Sequence, residues 1–179
     1  MKKVSFRNSD MAWDISAVIL TPPDFDEAKQ YPTVISVHPF GSCKEQTSSA
    51  TYGKALAEAG YVVIAFDASF QGESGGEPRF VEDPTQRVED VSRVIDYAVT
   101  LPYVDAEKIA GIGVCGGGGY VFNAALTEKR IKAVVGITPV NIGRLFREGF
   151  SMYSPIGALE GMAAQRTAEA RGGERLVNE

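Results

Sequence analysis

A cysteine surrounded by glycines is the feature of the sequence best suited to chemistry. In Gly113-Val114-Cys115-Gly116-Gly117 an apolar run leads into the cysteine, and a glycine-rich segment follows it. The spacing matches the pattern G-x-nucleophile-x-G, in which glycine avoids collisions in a tight turn between a strand and a helix. Cysteine stands where serine is commoner. The pattern predicts that Cys115 is a nucleophile.

The predicted position of this cysteine, at the start of a helix, suits attack on a carbonyl carbon. The unpaired N–H groups and the positive end of the helix dipole favour the thiolate, which is the reactive form. The N–H of Gly116 would point toward the same place and could donate to the oxyanion that forms during attack.

Two other interpretations of this segment compete with the nucleophile. Cysteine is often a small buried apolar residue, and a glycine-rich turn can serve close packing alone. Residues 111–116 also match the dinucleotide fingerprint G-x-G-x-x-G. That fingerprint follows its strand, whereas Ile109 to Val114 is here the predicted strand itself. The acidic residue expected about 20 positions later is replaced by Ile137-Thr138-Pro139, so a dinucleotide site is disfavoured.

Alternating strands and helices must position this turn. Apolar periodicity predicts strands near residues 4–6, 14–20, 33–38, 61–66, 109–114 and 131–137, and helices over 45–59, from 84 onward, and over 116–126. Asp83-Pro84 is typical of an N-cap followed by a first helical residue. Residues 131–137 have the apolar continuity of a strand buried on both faces. This order predicts an α/β fold with a mostly parallel sheet flanked by helices.

Two loops carry further motifs. His38-Pro39-Phe40-Gly41-Ser42 follows the third strand, and residues 67–74, of the form D-x-x-x-x-G-x-S, follow the fourth. Together with the turn around Cys115, these loops resemble the α/β-hydrolase superfamily, and within it the dienelactone-hydrolase-like branch, which uses a cysteine nucleophile. Lys44-Glu45-Gln46 and the segment 66–78 resemble bacterial hydrolases of this kind. The resemblance covers nearly the whole chain and implies an α/β-hydrolase fold.

The resemblance also assigns roles at the reacting centre. It implies that Cys115 is the nucleophile and that the backbone N–H groups of Phe40 and Gly116 form the oxyanion hole. Pro39 stands where many members of the superfamily have glycine, so the sequence does not fix which loop N–H donates.

The same resemblance implies that His38, Asp67 and Ser74 support the loops and do not react. Adjacent strands lie about 4.8 Å apart, so His38 at the end of the third strand would be near Cys115. Two roles stay open for it: anchoring its own loop by hydrogen bonds, or acting as a general base. Cys43, in the same loop, is expected to be a bystander thiol.

The resemblance implies that an acidic residue and then a histidine follow the nucleophile along the chain, and this sequence does not complete that order. His38 is the only histidine, and the position after the last predicted strand is the neutral Asn141. No strand-like run follows Ile137, although the resemblance implies two more strands. We therefore expect residues 1–140 to be the N-terminal part of a core lacking its last two strands, and residues 141–179 to be a helical, lid-like insertion. The chain would be a fragment, a half completed by another chain, or a naturally short noncatalytic protein.

The function predicted from these residues is hydrolysis of carboxylic ester, thioester or lactone bonds by a cysteine nucleophile, incomplete in this chain. The alternative is a noncatalytic α/β-hydrolase-like binding or scaffold protein. We expect a small ester-like substrate, of unspecified identity, with no cofactor and no metal. Without a seventh strand, Ile131–Ile137 would lie on an open edge, which either the tail from Asn141 onward or another molecule should cover; self-association through this edge is the expectation we favour.

Composition narrows the class of partner. The 179 residues are 44% hydrophobic and 23% charged, with a formal net charge of -5 and no basic stripe. This balance is typical of a globular domain and makes nucleic acid and anionic membranes poor partners. No apolar run approaches the roughly 20 residues of a membrane span. Two cysteines do not form a disulfide framework, so a cytoplasmic location with free thiols is expected.

Overall fold

Strands and helices alternate along the chain in the computed structural model, which describes residues 1–8, 10–149 and 154–176. The strands are β1 (Lys2–Phe6), β2 (Ile15–Leu20), β3 (Tyr31–Val37), β4 (Val62–Phe66), β5 (Val104–Val114) and β6 (Ile131–Ile137). The helices are α1 (Lys54–Glu58), α2 (Pro84–Ala98), α3 (Gly116–Thr127), α4 (Ile142–Glu148) and α5 (Pro155–Ala170), and a π-helical segment, Thr47–Gly53, precedes α1. The chain divides into two compact units, Met1–Val140 and Asn141–Glu179.

The first unit is built on one six-stranded sheet with the order β1-β2-β4-β3-β5-β6. β1 and β2, and β2 and β4, pair antiparallel, whereas β3 pairs in parallel with both β4 and β5, and β5 pairs in parallel with β6. The register sets Val37 of β3 opposite Gly113 of β5. Parallel strands end at the same edge of the sheet, so the loop after β3 and the turn after β5 are neighbours.

Apolar side chains alternate between the two faces of the sheet, as expected for strands covered on both sides. On one face, residues such as Ile35 and Ile64 pack with α2 and α3, which contribute Val94 and Val121. On the other face, residues such as Val63 and Ile112 pack with α1 and the π-helical segment. These two layers hold the carboxyl edge of the sheet in a fixed geometry.

The largest differences between the predicted elements and the structure concern three of them. The helix expected over 45–59 begins at Thr47 and is π-helical as far as Gly53, where a Cβ would lie 2.7 Å from the Ser48 carbonyl oxygen. β5 begins five residues earlier than predicted, because Val104 pairs with Tyr31 before the regular ladder starts. β6 has the predicted bounds but is not buried on both faces.

The exposure of β6 follows from its place in the sheet. In the described part of the chain it pairs with β5 alone, and Val135 is 52% exposed. The prediction that β6 is buried on both faces was therefore wrong, because β6 lies at the edge of the sheet.

The second unit contains α4 and α5, each begun by a side-chain cap. The Asn141 carboxamide oxygen accepts the N–H of Arg144 at 2.9 Å, and Ser154 Oγ accepts the N–H of Gly157 at 3.2 Å. Pro155 occupies the first turn of α5, where its missing N–H costs nothing. Among the described residues, no helix combines the length and the apolar character that crossing a membrane requires.

Candidate active site

Cys115 occupies a one-residue turn between β5 and α3. Its backbone has φ 52° and ψ −118°, a left-handed conformation that a residue with a Cβ rarely adopts. Strain of this kind persists only where the surroundings impose it, and it is frequent at reactive positions. The side chain is partly exposed and the thiol is free.

Two glycines allow the turn to pack so closely. A Cβ on Gly113 would collide with the Gly117 carbonyl, and a Cβ on Gly117 would lie 2.5 Å from the carbonyl oxygen of His38 and closer still to that of Val37. The first turn of α3 therefore lies directly against the end of β3. Glycine at these positions is required by contact distance, as the sequence pattern predicted.

The end of β6 and the segment after it hold the backbone of Cys115 at both of its polar groups. The Cys115 N–H donates to the Ile137 carbonyl at 2.9 Å, and the Val140 N–H donates to the Cys115 carbonyl at 2.9 Å. Gly116 is the first residue of α3. Its N–H is one of the first four N–H groups of a helix, which have no partner within the helix. The turn is thus fixed by β3 and β6 and presents a helix N-terminus beside the thiol.

His38 follows β3 and is fully buried. Its Nε2 accepts the backbone N–H of Ala68 at 3.1 Å, and its Nδ1 lies 2.7 Å from the Pro39 carbonyl oxygen. Burial, followed by the neighbouring positive charge of Arg87, lowers the pKa of His38 to about 3. A neutral ring with both nitrogens engaged in the loops cannot accept a proton from a nucleophile near neutral pH without breaking these bonds.

Asp67 lies at the end of β4 and joins the two loops. Its carboxylate accepts the N–H of Lys44 at 2.7 Å, the ammonium of Lys44 at 2.7 Å and the N–H of Glu73 at 2.8 Å. Ser74 Oγ donates to the Asp67 carbonyl at 2.6 Å and accepts the N–H of Ser16 at 2.9 Å. Asp67 and Ser74 thus make hydrogen bonds that connect loops.

Lys44 is a buried ammonium at the centre of this cluster. Burial alone would lower the pKa of Lys44, but its hydrogen bonds to Asp67, Glu45 and Glu73 outweigh burial and raise it. The same bond to Lys44, with a smaller contribution from Lys3, lowers the pKa of Glu73 to about 2. The loops after β3 and β4 are therefore joined by charge-assisted hydrogen bonds.

One group of potential metal ligands occurs in the described residues. Cys43 Sγ and carboxylate oxygens of Glu45 and Asp67 lie within 4.8 Å of one another. The Lys44 ammonium is 2.8 Å from Glu45 and 2.7 Å from Asp67, so a cationic group already neutralises these carboxylates. Burial first, and then the carboxylates of Asp67 and Glu45, raise the pKa of Cys43.

Sequence reasoning missed two buried residues of the site. Arg87 in α2 donates from Nη2 to the His38 carbonyl at 2.6 Å, and its guanidinium carbon lies 4.9 Å from the ring centroid of Tyr120 in α3. The sequence does carry a signal for the burial of Arg87. It lies four positions before Val91 and seven before Val94, which puts it on the apolar face of α2. An arginine on such a face needs a partner there.

Comparison with known proteins places the chain in a family. Residues 13–169 match the family described as X-Pro dipeptidyl-peptidase (S15 family). Protein YcjY of Escherichia coli is 50% identical over 180 residues, which are 98% of this chain and 58% of that protein. Thiohydrolase aneE of Aspergillus aculeatus is 30% identical over 140 residues, covering 76% of this chain and 43% of that protein.

Solved structures share the architecture. The crystal structure of PA2218 from Pseudomonas aeruginosa superposes with a TM-score of 0.85 at 36% identity, covering 96% of this chain and 54% of that one. The α/β hydrolase GrgF from a Penicillium species superposes with a TM-score of 0.78 at 24% identity, covering 99% of this chain and 59% of that one. The predicted α/β-hydrolase fold is therefore confirmed. The chain spans about half the length of these proteins.

Proposed function

Because the chain belongs to the X-Pro dipeptidyl-peptidase (S15) family and has the α/β-hydrolase fold, we propose that it carries the nucleophile of a hydrolase. The nucleophile is Cys115, and the substrates are carboxylic esters, thioesters or lactones. The observation that carries the proposal is the left-handed backbone of Cys115 between β5 and α3, at φ 52°. A strained turn from a strand into a helix is what a nucleophile elbow requires, so this backbone supports the proposal.

In the proposed reaction the Cys115 thiol first loses its proton to solvent or buffer. The thiolate Sγ then forms a bond to the carbonyl carbon, and the carbonyl electron pair moves onto oxygen. The N–H groups of Gly116 and Phe40 donate to this oxyanion. When the carbonyl re-forms, the bond to the alcohol or thiol breaks, and the leaving group departs with the electron pair. The product is a thioester on Cys115.

The choice of ester or thioester over peptide rests on the leaving group. An amine leaves only after it is protonated, so a peptide bond needs a general acid beside the nucleophile. His38 is the one histidine of the sequence, and its ring nitrogens contact Ala68 and Pro39. An alkoxide or thiolate of low basicity leaves without that help. The name of the thiohydrolase relative is in keeping with a thioester substrate.

The same reasoning sets the fate of the acyl-enzyme. Release of the acyl group requires a base that activates water, and buried His38 is unsuited to that role. We propose that this 179-residue chain acylates once and releases product slowly. We also propose that the chain is related to the dienelactone-hydrolase-like branch, and the cysteine at the nucleophile position supports this.

The experiment is acylation of the chain by p-nitrophenyl acetate and by an activated thioester, with an Xaa-Pro-p-nitroanilide as the amide comparison. Stopped-flow absorbance should show a burst close to one equivalent with the esters and none with the anilide. Peptide mass mapping should place the acyl group on Cys115. Cys43→Ser serves as the matched control and should keep the full burst, whereas Cys115→Ser should lose it.

Two outcomes would change the proposal. A folded chain in which Cys115 stays unacylated would favour the alternative, a noncatalytic binding module. Sustained turnover that His38→Ala abolishes would show that His38 acts as the base, against the role given to it here.

A further inference from the structure

Arg87 contacts both the ring and the backbone of His38. Its Nη2 donates to the His38 carbonyl at 2.6 Å, and its Nη1 lies 3.0 Å from Nε2 and 3.2 Å from Nδ1 of the ring. The guanidinium lies over the ring of Tyr120, and its Nε is 3.5 Å from a carboxylate oxygen of Glu82. The side chain is 2% exposed. The planar guanidinium of Arg87 is thus held in place by the Tyr120 ring and the Glu82 carboxylate while it contacts His38.

The His38 ring sets the direction of the Phe40 N–H through one hydrogen bond and one peptide plane. Because Nε2 accepts from the Ala68 N–H, the ring proton lies on Nδ1, which donates to the Pro39 carbonyl at 2.7 Å. The peptide between Pro39 and Phe40 is trans, and the C=O and N–H of a trans peptide point in opposite directions. The bond that draws the Pro39 carbonyl toward the ring therefore turns the Phe40 N–H away from it.

The same segment touches the turn that carries the thiol. The His38 carbonyl, to which Arg87 donates, is the group that a Cβ on Gly117 would approach to 2.5 Å. Gly117 belongs to the first turn of α3, two residues after Cys115. Arg87 thus fixes one of the two β3-end carbonyls, those of Val37 and His38, against which the nucleophile turn packs.

From these contacts we propose that Arg87 is a positioning residue, which acts through His38 to aim the Phe40 N–H at the carbonyl oxygen of the substrate. The inference rests on the proposed function, since it requires acylation of Cys115. Arg87 itself touches no reacting atom. Arg87 therefore affects the rate only of those reactions of Cys115 in which negative charge develops on the carbonyl oxygen of the substrate.

That restriction separates positioning from general structural support. Acylation by p-nitrophenyl acetate passes through an oxyanion and needs the donor. Alkylation of the same thiol by iodoacetamide displaces iodide from a saturated carbon and forms no oxyanion at the carbon attacked. The experiment measures both second-order rate constants at Cys115, in a Cys43→Ser background, for Arg87→Met and for the unsubstituted chain.

We expect Arg87→Met to lower the acylation rate constant by about 10- to 100-fold, a fraction of the loss typical when an oxyanion donor is removed. The alkylation rate constant should change by less than about threefold, since alkylation forms no oxyanion and Arg87→Met leaves Cys115 at the start of α3. Arg93→Met is the matched control. Arg93 lies on the same helix and bonds Asp10, at 3.3 Å, so both rate constants should be unchanged.

The possible results are distinct. Unchanged acylation in a folded Arg87→Met chain, or equal losses of acylation and alkylation, would overturn the positioning role. If Arg87→Met does not fold, Arg87→Lys keeps the charge but not the fork and should show the same selective loss, about 10-fold. Absence of acylation in the unsubstituted chain would overturn the proposed function, and this inference with it.

Discussion

The backbone N–H of Ala68 donates a 3.1 Å hydrogen bond to Nε2 of His38. This bond exists only while Nε2 keeps its lone pair, so the folded chain holds the ring neutral. Burial and the charge of Arg87 act in the same direction and lower the pKa of His38 to about 3. An unfolded chain returns the pKa to about 6.5.

This difference predicts a pH dependence of stability. Below about pH 6.5 the unfolded chain binds a proton on His38, whereas the folded chain binds one only below about pH 3. The contribution of His38 to the free energy of unfolding is therefore complete above pH 6.5 and is lost progressively as the pH falls from 6.5 to 3. Between pH 7.5 and 5.5 the loss from this group should be about 1.4 kcal/mol. Urea unfolding followed by the fluorescence of Trp13, the one tryptophan, measures it.

His38→Gln is the control for the pH dependence. Glutamine does not titrate, so the variant should lose the share of the slope that His38 contributes, while every carboxylate contributes equally to both chains. Equal slopes in the two chains between pH 7.5 and 5.5 would show that His38 has an ordinary pKa.

The two thiols should differ in reactivity. We predict that iodoacetamide at pH 7.5 modifies Cys115 about 10-fold faster than Cys43, because Cys115 is partly exposed beside a helix N-terminus, whereas burial and nearby carboxylates raise the pKa of Cys43. Peptide mapping over a time course gives both rates, and Cys43→Ser and Cys115→Ser confirm each assignment. Earlier modification of Cys43 would contradict the geometry at the helix terminus.

Gly117→Ala tests the close contact between α3 and β3. The added methyl would meet the carbonyls of Val37 and His38, so we expect a loss of about 1–3 kcal/mol in unfolding free energy. The burst of acylation should also be lost, because Cys115 is displaced. Gly161→Ala is the matched control, since no atom lies within 4 Å of the position where its Cβ would be. It should leave the burst intact and leave stability equal or slightly higher. A normal burst in Gly117→Ala would show that the contact is dispensable.

Self-association through β6 is a proposal that the exposed edge supports. In the described residues β6 pairs only with β5, and Lys132 is the one charged residue along it. Unpaired backbone groups on an apolar edge favour strand addition, so two copies would form one continuous sheet. Val135→Lys should then yield monomer in sedimentation velocity with the circular dichroism unchanged. Val99→Lys, an exposed apolar position at the end of α2, should stay associated. A strictly monomeric wild-type chain at high concentration would contradict the proposal.

The sequence predicted those features that depend on neighbouring residues. Glycine spacing around Cys115 predicted the turn from β5 to α3, and the predicted cap of α2 is confirmed, since the Asp83 carboxylate accepts the N–H of Thr85. Strand order also predicted that the end of β3 lies beside the nucleophile turn, but side-chain contacts between distant segments were not predictable. Arg87 and His38 are 49 positions apart. The burial of β6 was predicted wrongly, because apolar composition does not distinguish a central strand from an edge strand.

Two hydrogen bonds join the backbone of Cys115 to the end of β6 and to the segment that follows it, so the edge of the sheet and the nucleophile turn are in direct contact. Whatever pairs with β6 acts on the segment that bonds the Cys115 N–H and carbonyl, through Ile137 and Val140. If pairing at the edge changes the free energy of acylation, acylation must change the affinity of the edge for its partner by the same factor. Where that coupling holds, the state of the thiol and the occupancy of the edge each serve as a reporter of the other.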